Sequence, residues 1–172
     1  MHMALGAQPF NYSDAIDALP NSILAFGSAK QSRGDNNVID ASGLFNDTQN
    51  DFDTTFWNDG ATPIGFGYGD IATDVSASVR DRTPTLYLRQ SFNLSAGQAS
   101  SGQTLSLLMD YDDSFIAYLN GKEIARADAA APGSPHYASQ ISYNSNTANG
   151  TGSTFSIGVA NQYLTEGDNV LA

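Results

Sequence analysis

The sequence predicts an all-β fold, an antiparallel β-sandwich, and three observations carry that prediction. Short runs rich in β-branched and aromatic residues recur between turn residues, one adjacent pair is joined by Asn120-Gly121, and no long stretch shows helical periodicity. In chain order the strand segments are Ser22 to Ala29, Thr85 to Leu94, Gln103 to Tyr111, Ser114 to Leu119, Lys122 to Ala127 and Thr154 to Val159. Asn120-Gly121 separates Phe115-Ile116-Ala117-Tyr118-Leu119 from Lys122-Glu123-Ile124-Ala125-Arg126, and both of its residues tolerate the positive φ of a type I′ turn. A tight hairpin is therefore expected there. Ser13 to Leu19 suits a short helix, while Gln31 to Ala61 and Asp128 to Gly152 are long polar segments rich in Gly, Asn, Ser and Asp. Loops of that length in a compact domain are usually functional or tied down by an ion, so function is sought in them. Gly167 to Ala172 opens a strand with three apolar residues and reads as cut short. Met1 to Gly6 reads as an appended remnant, and residues 7–172 as a single module.

Composition narrows the function classes. At 172 residues, 41% of them hydrophobic, the chain suffices for one domain with a sizeable core. Asp plus Glu number 18 against 7 Lys plus Arg, a formal charge of −11 that repels phosphate backbones and anionic head groups. Neither nucleic acid nor membrane insertion is expected, and no apolar run approaches the roughly 20 residues that span a bilayer. With no cysteine, disulfides, thiolate metal sites and Cys nucleophiles are excluded. The carboxylate excess suits hard cations such as calcium, which take oxygen ligands.

Four segments occur in a recognisable order. The first is Trp57-Asn58-Asp59-Gly60-Ala61-Thr62-Pro63-Ile64-Gly65-Phe66-Gly67-Tyr68-Gly69-Asp70, and the second Tyr87-Leu88-Arg89-Gln90-Ser91-Phe92. Asp110 to Arg126, with the hairpin inside it, is the third, and Gly167-Asp168-Asn169-Val170-Leu171-Ala172 the fourth. Together they resemble the galactose-binding-like jelly-roll modules of secreted bacterial hydrolases and surface proteins, over about two thirds of the chain. Gly27-Ser28-Ala29 and Asn37 to Leu44, followed by Asn46-Asp47-Thr48, resemble the start of discoidin and carbohydrate-binding modules, with Ala41 where that family has glycine. The resemblance implies a jelly roll, an extracellular bacterial location, a non-catalytic role beside neighbouring domains of a larger secreted protein, and a structural calcium at Asp40, Asp47 and Thr48.

The residues themselves offer two chemistries. Asp110-Tyr111-Asp112-Asp113 brings three carboxylates into one connection, with Asp110 and Asp112 on the same side by strand alternation. The stretch is no EF-hand, because Phe115 stands at the sixth position and Gly121 at the twelfth. Its carboxylates either hold calcium or bind backbone N–H groups, as Asp commonly does in turns. Sugar binding would need exposed aromatic faces beside amides and carboxylates, and Trp57, Phe66 and Tyr68 lie near Asn58, Asp59 and Asp70. The alternative is that Trp57 plugs the core or anchors a loop. Gly65, Gly67 and Gly69 match neither a P-loop nor a dinucleotide fingerprint.

Catalysis finds no footing. With His2 set apart, His136 is the sole histidine, and Ser134-Pro135-His136 has no evident acid partner. The expectation is a calcium-stabilised carbohydrate-binding or adhesive module, not an enzyme, whose partner is a polysaccharide or cell-surface glycan. A spacer that orients a neighbouring catalytic domain is the alternative.

Overall fold

The computed structural model describes residues 2–5, 24–28, 58–81, 85–134 and 144–172. They form an all-β sandwich. Its smaller sheet has β7 (Thr104–Met109) between β1 (His2–Leu5) and β10 (Ser153–Val159), all antiparallel. The larger sheet also contains β2 (Leu24–Ser28), β3 (Asn58–Gly60), β6 (Leu86–Leu94), β8 (Phe115–Leu119), β9 (Lys122–Ala127) and β11 (Gly167–Leu171), in the order β3-β2-β6-β11-β8-β9. Every pairing in it is antiparallel. A two-stranded parallel pair, β4 (Ile64–Gly65) with β5 (Thr73–Asp74), and one-turn helices α1 (Ser76–Val79) and α2 (Ala96–Ala99) complete the described elements, with a 3-10 turn at Ala160–Gln162. Among the described residues no helix is long and apolar enough to cross a membrane.

Strand alternation builds the core between the two sheets. Leu105, Leu107 and Met109 point inward from β7, and Phe92 and Leu94 from β6 meet them with Ala117 and Leu119 of β8 and Leu171 of β11. Ala99, Ala160 and Leu164 fill out this cluster. The opposite parity of the larger sheet is also apolar: Tyr118, Val170 and Ala172 are buried together, with Tyr87 and Ile116 packed against them. Burial on both faces explains why β8 reads Phe-Ile-Ala-Tyr-Leu without a polar break, as two-sided strands do.

The six strand segments read from sequence fall on β2, β6, β7, β8, β9 and β10 within a residue or two of their observed ends. Asn120 and Gly121 take φ of 50° and 80°, the two positive values that the hairpin requires. A β-bulge between Ala117 and Tyr118 adds one residue to the β9 side, which twists this sheet edge. The structure adds what periodicity missed. Asn58–Gly60, inside a segment read as loop, pairs with β2, and His2–Leu5, set apart as a remnant, pairs with β7. Both are backbone pairings that a short run carries no side-chain pattern to announce. The helix expected at Ser13 to Leu19 lies outside the described residues.

Candidate functional site

Among the described residues, two polar clusters hold the connections between strands in place. The first surrounds the hairpin turn and the entry to β11. Asn169 is completely buried, and its Oδ1 accepts N–H bonds from Thr165 (3.0 Å) and from the Asn120 side chain (2.8 Å). Its Nδ2 donates to the carbonyls of Thr165 and Gly167, both at 2.9 Å. Asn120 in turn donates from Nδ2 to the Tyr163 carbonyl (2.8 Å) and accepts the Val170 N–H at Oδ1 (2.8 Å). A buried amide with all its donors and acceptors matched costs little, whereas an unmatched one costs heavily. The Asn in Gly167-Asp168-Asn169 thus shapes the approach to β11, which continues as a ladder of Tyr118 and Ala172 N–H and carbonyl groups paired at 2.8 and 2.9 Å.

The second cluster lies where β7 runs into β8. The Asp110 carboxylate accepts the backbone N–H groups of Asn149 (3.0 Å) and Gly150 (2.7 Å), pulling residues 144–152 over the connection. Asn146 donates to the Tyr111 carbonyl (2.7 Å), and Asp128 accepts from the Tyr111 hydroxyl (2.9 Å) and from Asn144 (3.1 Å). Tyr111 packs edge-on against Phe115, with ring centres 4.9 Å apart, and Phe115 against Phe155 at 5.0 Å, so the polar lid sits on an aromatic plug. Burial, then the Asp128 hydrogen bond, raises the Tyr111 phenol above its usual range. Gly152 has φ of +69°, and a Cβ there would meet the Met109 carbonyl oxygen at 2.9 Å, so only glycine lets β10 start this close to β7.

Tyr68 reaches this cluster from the glycine-rich stretch and donates its hydroxyl to Asp112, which raises the Tyr68 phenol. Among the described residues singled out from sequence, these two are brought together by a side-chain hydrogen bond. Phe66 and Tyr68 are exposed, at 37% and 39%, and the Arg80 guanidinium sits 5.9 Å from the Phe66 ring centre. Asn58 and Asp59 are exposed on β3, Asp70 on a turn and Asp113 beside Asp112. Trp57, Asp40, Asp47, Thr48 and His136 lie outside the described residues.

Among the described residues no group of three or more His, Cys, Asp and Glu side chains converges to hold an ion. Both oxygens of Asp110 are engaged by backbone N–H groups, and Asp112 is engaged by a phenol. Asp110 therefore serves as an acceptor for loop backbone. Sequence reading overlooked the loop partners Asp128 and Asn146, and also Arg126. Arg126 spends Nε and Nη2 on Glu123 at 2.6 and 2.7 Å, and Nη1 on the Ala130 and Ala131 carbonyls. Three residues apart, Glu123 and Arg126 would face opposite sides of a regular strand, so neither the ion pair nor the carbonyls are announced by the alternation of β9.

No family model matches the chain. The major capsid protein of Phaeocystis pouchetii virus is 51% identical to it over 75 residues, which is 42% of this chain and 14% of the relative. The match thus spans a small part of that relative's own length. It corrects the expectation of a secreted bacterial module, carbohydrate-binding or adhesive, with glycan partners at the cell surface. The alternative spacer of a secreted hydrolase is corrected with it. The physical reason is that the hairpin, the Asn169 turn and the Asp110 loop grip are devices of the sandwich itself. A fold does not by itself fix function or host.

Proposed function

We propose that the chain is a non-enzymatic structural module of a virus capsid protein, a β-sandwich that packs against other capsid subunits. The observation that carries this reading is the 51% identity to a viral major capsid protein. A jelly-roll winding of the strands belongs to the same reading. The use of the polar side chains supports it: Asp110, Asp112, Asp128, Arg126, Asn120 and Asn169 are all directed to partners within the chain, as a scaffold requires. Catalysis on a separate substrate, in contrast, needs a side chain with a free face toward that substrate. Quantitative mass spectrometry of particles purified from the source of this chain tests the proposal. Its peptides are expected at a level matching a regular shell component. Their absence from particles, with the chain abundant in the soluble fraction, would contradict it.

A further inference from the structure

We infer that Asn149-Gly150 is a self-modification site, at which the chain closes a succinimide ring and converts Asn149 to aspartate or isoaspartate. The inference is independent of the capsid reading and rests on three groups placed around one dipeptide. The nucleophile is the Gly150 nitrogen, whose N–H is held by Asp110 Oδ2 at 2.7 Å, within the range for a general base. The electrophile is the Asn149 side-chain carbon. Its Oδ1 receives the Thr151 N–H at 2.9 Å, the Thr151 hydroxyl at 2.6 Å and the Gly152 N–H at 3.2 Å. These are donors gathered where negative charge would grow during attack, the arrangement of an oxyanion hole. Gly150 has no side chain to obstruct the approach, and a Cβ built there would meet no atom within 4 Å. Asn149, Gly150, Thr151 and Asp110 are all exposed, so water reaches the ring and ammonia leaves freely.

The step balances without any outside reagent except water. As the Gly150 nitrogen bonds to the Asn149 side-chain carbon, Asp110 takes the nitrogen's proton and the three donors hold the oxyanion. The bond to Nδ2 then breaks, and Nδ2 departs as ammonia with the proton returned by Asp110. Water opens the succinimide at either carbonyl. Aspartate at 149 sets a second carboxylate against Asp110, and isoaspartate inserts a methylene into the backbone that Asp110 grips. Either product loosens residues 144–152 from the β7–β8 connection, a timed release of the loop.

Asn120-Gly121 is the internal control. It is the same dipeptide, yet the Asn120 amide is fixed by Tyr163, Asn169 and Val170, and Nδ2 cannot leave without breaking that network. Peptide mapping of the full chain after prolonged incubation at neutral pH, with isoaspartate detected by isoaspartyl methyltransferase, reads both sites at once. Asn149 is expected to convert and Asn120 to remain intact. Asp110→Asn should slow conversion at Asn149 by about tenfold or more, the low end for loss of a general base. Thr151→Val should also slow it and Thr151→Ser should restore it, with circular dichroism confirming that each variant is folded. Equal conversion at the two asparagines, or rates at Asn149 unchanged by all three substitutions, would overturn the inference.

Discussion

At Asn120 an amide side chain is spent inside a buried network with Asn169, whereas at Asn149 the backbone is held from outside by an exposed carboxylate. The two regions share a dipeptide and differ in what anchors it. One network joins neutral amides across the larger sheet, out of reach of pH and largely of solvent. The other joins a charged, exposed side chain to a loop. Buried, fully matched polar groups fix a single geometry because every alternative leaves an orphan, while a surface carboxylate gains little and is screened. The first region should therefore behave as part of the folding unit, and the second as a latch that opens locally.

The comparison can be broken most easily at Asn169. Asn169→Ala removes five hydrogen bonds and leaves buried partners unmatched, an expected loss of about 3 kcal/mol in urea denaturation. Asn120→Gly keeps the positive φ of the turn but loses the side-chain bonds, with an expected loss of about 2 kcal/mol. Because these two residues bond to each other, the double variant should lose clearly less than the sum of the single losses. Asp110→Ala should cost under about 1 kcal/mol and add independently to Asn169→Ala, since the two share no partner. A strong coupling between Asp110 and Asn169 would merge the two regions into one.

The smallest expected effect is one of pH. Burial of Tyr87 against the outer apolar cluster, with Tyr118 nearby, pushes its phenol from 10.0 up to about 12. The folded chain then keeps a proton that the unfolded chain loses. The contribution is complete below 10.0 and is lost as pH rises toward about 12, so thermal stability should fall across that interval. Tyr87→Phe should flatten the decline as followed by melting temperature.

The strands were legible because half of their information is local. Leu105, Leu107 and Met109 alternate on β7, and Asn120-Gly121 dictates its own turn. The pairing of β11 between β6 and β8 was not legible, since it depends on Asn169 meeting Asn120 from 49 residues away. Asp110 drew notice as one of three clustered carboxylates, but its partners are backbone N–H groups 39 and 40 residues later, and backbone leaves no mark in a sequence. Tyr68 and Asp112 were each singled out for a different ligand and turn out to bond to each other. Short-range motifs identified the sandwich, while the assignment to a secreted bacterial module rested on fold-level resemblance, which does not fix function.

Amide hydrogen exchange on the intact chain tests the central contrast most directly. The Val170 and Ala172 N–H groups, held by Asn120 and Tyr118, should exchange only through global unfolding. Those of Asn149 and Gly150 should exchange through a local opening far below that free energy, and Asp110→Asn should lower their protection while leaving Val170 unchanged. Protection at Gly150 equal to that at Val170, or loss at both in Asp110→Asn, would contradict the account.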